Sequence, residues 1–429
     1  MSNTQPASLT DRFSHDRFDE RLETARAAVA HVSPIELSIS SDLALVEKDW
    51  QCFEQEADCT VFQTFFWQSA WFRNVGPHEP VTPAIVIGRT ADGKILFLMP
   101  LALRRSRLFR SLTWLASDLC DYNAPLLARN FAERLGERRF AAIWHDILAL
   151  LRADPNLRPD VVILEKMPET IGSQPNPFME LGVSPNPSGA YLTHFSGNWD
   201  EFYAARRSSA TRRRDRTKLK RLADFGEVRF VTPDSPAAID ETVSVLFAQK
   251  TKSFAKMGVA NMFARPGWAD FFRQISADPA VRQVTHVSRL EVGDTLAATN
   301  FGLLFGGRYY HVLAGYDDGD VSKYGPGAAH LRDLMRYAIE HGCEAFDFTI
   351  GDEGYKREWS DTAISLHDAR LALTWRGRVV ALFSATLSRA KRTIKQTPLL
   401  WSWATRIRAA LGRRRAAAPD PAASDDETD

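Results

Sequence analysis

Gly351-Asp352-Glu353-Gly354-Tyr355-Lys356 gathers two carboxylates, a phenol and an amine within one turn of chain. Shortly before it, Lys323-Tyr324-Gly325-Pro326-Gly327-Ala328-Ala329 forms a glycine loop edged by a cation. Glycines without a β-carbon let the backbone turn sharply and approach a ligand closely. A helix predicted over about 328–341 follows the loop, and its first amides and the positive end of its dipole favour an anion such as a pyrophosphate. Lys323, Tyr324, Gly325, Gly327 and Ala328 are therefore the candidate cofactor-binding residues. Pro326 stiffens the turn but contributes no amide. Taken alone, Gly-Pro-Gly also serves as a plain strand-to-helix connection, and 351–356 as a plain surface turn.

Asp347 lies between Phe346 and Phe348 on a predicted strand, so alternation turns its carboxylate to the face opposite the two rings. There it either orients or deprotonates an acceptor amine, directly or through water, or pairs with a nearby arginine. From Arg206 to Arg221 there are nine Lys or Arg and one acid, Asp215. Arg206, Arg213 and Lys220 recur at helical spacing, and that side meets either solvent or phosphates. Four cysteines and ten histidines show no metal-ligand spacing, so no metal is expected.

Two successive blocks of elements position these residues. Ile35–Ile39 alternates as a strand, and 43–55 has helical periodicity. Residues 62–71 are dense in aromatics suited to core packing. The strands at 83–89 and 95–103 flank Ala91-Asp92-Gly93-Lys94, a hairpin turn. A helix over 131–151 and a strand over 161–165 complete an amino-terminal unit, 35–170. The stretch 171–190 holds prolines at 175, 177, 185 and 187 and reads as a linker. The carboxy-terminal unit, 191–382, is expected to have one long helix over 199–223, further helices at 237–252 and 267–276, and a meander of strands at 284–291, 297–304 and 308–316. Two short strands, 371–375 and 378–382, are expected to close it. The order strand, loop, helix, strand occurs in both halves and suggests structural duplication.

Several separated motifs together resemble the GNAT-type acyltransferases of the cellulose biosynthesis protein CelD branch, related to the Fem peptidyl transferases. They are the crowded cations of 206–222 before Gly226, Phe247-Ala248-Gln249-Lys250-Thr251, Ala297-Ala298 before Phe301, Tyr309-Tyr310, Gly315-Tyr316-Asp317, Tyr324-Gly325-Pro326-Gly327, and Phe346-Asp347-Phe348 with Gly351, Tyr355-Lys356 and Trp359. The likeness is good over about 195–360. It is fainter over 35–170, where Phe65-Phe66-Trp67 with Ala70-Trp71, and Asp121-Tyr122 with Pro125-Leu126, carry it.

The resemblance implies an α/β (α+β) fold of tandem GNAT-like units, each a mixed, mostly antiparallel sheet flanked by helices. It also implies an acyl-CoA donor, with acetyl-CoA the expected one. The catalytic residues would be Asp347, Asp352, Tyr355 and Lys356, with Lys356 meeting substrate phosphate or developing negative charge. Tyr355, Tyr324 or Lys356 would protonate the leaving thiolate. Arg206, Arg213 and Trp359 are the expected substrate-binding residues, and the acceptor is expected to be a small molecule or sugar connected with exopolysaccharide biosynthesis. Many such enzymes carry Arg or Gln before Gly-x-Gly or Gly-x-Ala at this loop, where this chain has Lys323-Tyr324-Gly325-Pro326-Gly327. Two rival readings follow: a Fem-like transferase using aminoacyl-tRNA, and a non-catalytic scaffold for envelope or exopolysaccharide synthesis.

A net charge of +1 argues against an overall polyelectrolyte partner, and nucleic acid enters only through the tRNA reading. Residues 1–34 are polar, with no signal-like apolar run, so a flexible segment and a cytoplasmic location are expected. No apolar run is long enough to span a membrane. Between Arg370 and Arg415 there are twelve Lys or Arg and no acid, interleaved with Leu382, Phe383, Leu387, Leu399, Trp401 and Trp403. This basic amphipathic segment, 383–429 with its acidic disordered end, either packs on the protein or touches an anionic membrane from the cytoplasmic side.

Overall fold

The computed structural model describes residues 35–136 and 139–397. The expectations for 1–34, for the apolar residues of 399–411 and for the acidic end lie outside the described residues. The first half runs β1 (Glu36–Ser40), α1 (Leu43–Glu54), α2 (Phe65–Asn74), β2 (Val81–Arg89), β3 (Ile95–Arg105), β4 (Arg110–Trp114) and β5 (Leu126–Leu127). It continues through α3 (Phe131–Leu135), α4 (Phe140–Ala153), β6 (Val161–Pro168), β7 (Thr170–Ile171), β8 (Gln174–Pro175) and β9 (Ser184–Pro185). The second half runs β10 (Ala190–His194), α5 (Trp199–Arg206), α6 (Ser209–Ala223), β11 (Val228–Val231), α7 (Pro236–Met257), α8 (Trp268–Ala277), β12 (Thr285–Val292), β13 (Thr295–Phe305) and β14 (Arg308–Tyr316). It ends with α9 (Pro326–Glu340), β15 (Ala345–Ile350), α10 (Gly354–Trp359), β16 (Thr362–Ile364), β17 (Leu366–Ala372) and α11 (Trp375–Gln396).

These strands build two large sheets of the same design. The first has the order β1-β2-β3-β4-β6-β17-β9, with β5 on β3, and the second β11-β12-β13-β14-β15-β10-β16. Each begins as an antiparallel meander and contains one parallel pair, β4 with β6 and β14 with β15, joined through a helix as a parallel connection requires. The expected tandem of mixed, mostly antiparallel sheets flanked by helices is the observed fold. One strand crosses the halves: β17, near the end of the second half, pairs with β6 and β9 of the first. The second half thus completes the first half's sheet.

The halves also share a core. Trp67 of the first half meets Phe271, and Phe62 reaches Tyr310, with edge-to-face centroid distances of 4.9 Å for Trp67–Phe271 and 5.8 Å for Phe62–Tyr310. Such pairs add about 0.5–1.5 kcal/mol each beyond the area they bury. The aromatic stretch at 62–71 is therefore the joint between units.

Local capping explains where the sequence-based spans fail. The single helix expected over 199–223 is two helices, because Ser208 leaves helical geometry and its hydroxyl accepts from the Thr211 amide at 3.2 Å, starting α6 afresh. The helix expected over 131–151 breaks at Gly136, which has a positive φ of 62°. The strands expected at 371–375 and 378–382 are instead the end of β17 and the start of α11. Arg376-Gly377 resembles a turn, but Thr374 caps a helix by accepting from the Gly377 amide at 3.2 Å. The linker stretch carries the short strands β7, β8 and β9.

Candidate active site

Strands β14 and β15 run parallel for only three residue pairs, Arg308 with Ala345, Tyr309 with Phe346 and Tyr310 with Asp347. Beyond Tyr310 and Asp347 they separate, although β14 continues to Tyr316 and β15 to Ile350. The result is a notch at the carboxy-terminal ends of two parallel strands, with α9 beginning shortly after β14. Phe346 and Phe348 enter the core under α9, and Asp347 faces the first half.

Asp347 stands at the apex of the notch and is fully buried. Its Oδ1 accepts from the Tyr122 hydroxyl at 2.7 Å and from the Thr349 amide at 2.8 Å. Its Oδ2 has no hydrogen-bond partner, and Arg308 Nη1 is 3.9 Å away. Burial pushes its pKa up to about 6, against the lowering effect of Tyr122, the Thr349 amide and Arg308. Asp121, next to Tyr122, is also pushed up by desolvation, opposed by Lys166, the Thr349 hydroxyl and Lys356. Two carboxylates from different halves, both shifted toward neutrality, converge on one point.

Thr349 is strained. It has a φ of 59°, a rare conformation for a β-branched residue, opposite a register shift between Tyr191 and Leu192. Its hydroxyl reaches the His311 carbonyl of β14 at 3.4 Å, spanning the start of the notch. Lys356, almost fully buried on α10, donates to the Ile350 carbonyl at 2.8 Å and pairs with Glu353 at 3.2 Å. Gly351 permits this, since a β-carbon there would crowd Lys356 Nζ and Glu353. Lys250 of α7 joins the group, its pKa lowered first by burial and then by Lys356, while Glu353 opposes the shift. His311 is pushed down to about 3 by burial, with the Lys356 and Lys250 charges adding to it.

The α9 end is more constrained than a row of free amides. Gly325 is left-handed (φ 69°), Pro326 has no N–H, and the Ala328 and Ala329 amides both donate to the Gly325 carbonyl at 3.1 Å. Gly327 keeps the only amide of this first turn without a partner among the described residues, and the Tyr316 ring lies over it. Lys218 of α6 brings its amine beside Gly325. Lys323 lies over the Tyr324 ring at 5.2 Å, and Tyr324 packs on Phe225.

The remaining candidates are spread out. Asp352 sits on the loop before α10, and Tyr355 is partly exposed with its ring edge against Phe348. Trp359 is buried in a stack with Tyr203 and under the Arg207 guanidinium, so it anchors α10. Arg206 donates to Asp361 at 2.7 Å and to Thr193 at 2.9 Å, bracing α5 against the segment before β16. Arg213 is exposed on α6, and its guanidinium has no partner among the described residues. Sequence reasoning did not single out Tyr122, Asp121, Lys166, Lys218 or Thr349 as site residues. Only the Asp121-Tyr122 motif gave any signal. A separate cleft of about 1010 Å³ between α1, α2 and residues 278–284 contains none of these side chains. Among the described residues no His, Cys, Asp and Glu group is arranged to hold a metal.

Residues 209–357, from α6 to α10, match the acetyltransferase (GNAT) domain family. The second half carries a GNAT acyltransferase domain. Among solved structures, FemX aligns with a TM-score of 0.55 at 10% identity, covering 78% of this chain and 97% of its own. A conserved protein of unknown function from Bacteroides thetaiotaomicron VPI-5482 aligns at 0.51 and 10% identity, covering 78% and 100%. A tandem GNAT protein from the clavulanic acid biosynthesis pathway aligns at 0.40 and 13% identity, covering 79% and 98%. No curated protein matches this sequence. The GNAT domain contains the notch, Asp347, Thr349, Lys356 and the α9 loop. Tyr122 and Asp121 reach it from outside.

Proposed function

We propose that this protein is an acyl-CoA-dependent transferase that moves an acyl group, with acetyl the expected one, onto an amine or hydroxyl of a sugar or cell-envelope polysaccharide precursor. One observation carries the reading: the parallel pair β14/β15 stops at Tyr310 and Asp347, where a buried carboxylate with a free oxygen stands at the apex of the opening. In this reading the donor's pyrophosphate meets the Gly327 amide with Lys218 and Lys323 nearby, and its thioester extends between the separating strands. The acceptor approaches from the first half.

The acceptor nitrogen or oxygen bonds to the acyl carbon, and its proton passes to Asp347 directly or through water. A pKa near 6 suits that task near neutral pH. The carbon–sulfur bond then breaks and the thiolate takes a proton from Tyr355, Tyr324 or Lys356. Lys356 offsets the negative charge developing on the carbonyl oxygen. Trp359 and Arg206 act indirectly, by holding α10 and α5. Calorimetric titration with acetyl-CoA, with dephospho-CoA for comparison, tests the reading. Saturable heat that is weakened by Lys218→Glu supports it, and no saturable heat with any acyl-CoA ends it.

The exposed cations of α6, among them Arg213, Arg214, Arg216, Lys220 and Arg221, favour a second reading with aminoacyl-tRNA as donor. Binding that falls steeply with salt and is abolished by ribonuclease separates it from the first.

A further inference from the structure

Helix α11 is docked with its faces reversed. An ordinary surface helix turns its apolar stripe inward. Here the inner face is small and polar. Arg370, on β17, donates to the hydroxyls of Ser384 at 3.0 Å and Ser388 at 2.8 Å, and also to Glu165 and Asp368, each at 3.1 Å. Gly377 lies so close to the start of β6 that a β-carbon would collide with the Asp160 carbonyl. The outer face carries the large side chains: Trp375 is 72% exposed, Val379 61%, Leu382 70%, Phe383 71% and Leu387 46%. Steps of three, four and seven residues place them on one side of the helix. A stripe this size left in water costs free energy unless something covers it.

Charge identifies the cover. Helix α11 has no acidic residue, and none occurs from Arg370 to Arg415. The side chains of Arg378, Arg389 and Lys391 are exposed and make no ion pair among the described residues. A second copy packed stripe to stripe would bring these cations together uncompensated. The chain from 398 to 415 has the same sign and would do likewise. Protein on one side and anionic phosphates on the other resolve both terms. With 22 residues interrupted by charges, the helix is not apolar enough to cross a bilayer.

We infer that the outer face of α11 binds an anionic lipid bilayer surface, with Trp375, Val379, Leu382, Phe383 and Leu387 entering the headgroup boundary and the flanking cations meeting lipid phosphates. The full chain should co-sediment with vesicles of phosphatidylcholine and phosphatidylglycerol, much less with phosphatidylcholine alone, and should be released by salt. The double variant Leu382→Glu, Phe383→Glu, altered only at exposed positions, should partition about tenfold or more weakly with an unchanged melting temperature. Arg378→Glu with Arg389→Glu should lose less, and that loss should vanish at high salt. The inference falls if the full chain ignores anionic vesicles at low salt, or if the Leu382→Glu, Phe383→Glu variant binds them as well as the parent. It also falls if the stripe drives self-association and no vesicle binding.

Discussion

The two parallel pairs are built alike and end differently. Strands β4 and β6 pair at Ser111–Val161 and Leu112–Val162, then part, as β14 and β15 do. Each second strand carries a left-handed residue, Lys166 at φ 61° and Thr349 at φ 59°, facing an irregularity in the antiparallel neighbour. In the first half Lys166 sends its amine to the carbonyls of Ser117 at 2.6 Å and Cys120 at 2.5 Å, so the gap is plugged from within. In the second half the corresponding residue is a short threonine, and a buried carboxylate oxygen beside it is left without a hydrogen-bond partner. The same strained geometry supports closure in one half and an opening in the other. The closed half still contributes, because its plug braces the loop that delivers Asp121 and Tyr122.

The largest expected break in this comparison comes with acid. His286, His311 and His330 are all in the second half, and burial lowers each from 6.5 to about 3. A base whose folded pKa is lowered stabilises fully above its unfolded value and loses that contribution as pH falls. The second half should therefore melt first between pH 6.5 and about 3, by up to about 4 kcal/mol per pH unit from the three together. Carboxylates with raised pKa values, Asp347 and Asp121 among them, work in the opposite sense and blunt the slope. Hydrogen exchange along a pH series would show whether amides of β12–β15 lose protection before those of β2–β4.

Next in size, Asp347→Asn keeps the acceptor oxygen for Tyr122 and Thr349 but removes the base, and should lower kcat about 10²- to 10⁴-fold without loss of donor affinity. Replacing the plug instead, Lys166→Met strands two carbonyls and should cost about 2–3 kcal/mol, seen in denaturant titration, with donor affinity unaltered. Lys218→Glu should do the converse, weakening donor binding roughly tenfold by calorimetry and leaving stability within about 0.5 kcal/mol. The smallest effect is the most diagnostic. Tyr122→Phe removes a hydrogen bond that lowers the Asp347 pKa, so the ascending limb of the pH–rate profile should move upward from about 6.

Local chemistry was legible in the sequence wherever a feature depended on neighbours in the chain. The Asp92-Gly93 hairpin, the meander of 285–316, the helix after Gly325 and the turn of Asp347 away from Phe346 and Phe348 all follow from alternation and glycine placement. The candidate site was only half legible, because Asp347 acquires its environment from Tyr122, 225 residues away in sequence. No periodicity encodes that pairing. Trp359 and Arg206 looked like ligand contacts by motif, and the structure instead gives each a partner of its own. The misread start of α11 has a similar cause: Gly377 looked like a turn residue and is needed for close packing against Asp160.

Because β17 of the second half is built between β6 and β9 of the first, the halves cannot swing apart without stripping an interior strand from a ladder. Any widening of the notch then depends on loops, among them those after Tyr316 and Ile350, with no hinge between halves. A chain cut between Pro185 and Ala190 would leave the first fragment with a raw hydrogen-bonding margin on β6 and the second with β17 stripped of its partners. Expressed apart they should aggregate, and expressed together they should clasp into a working whole.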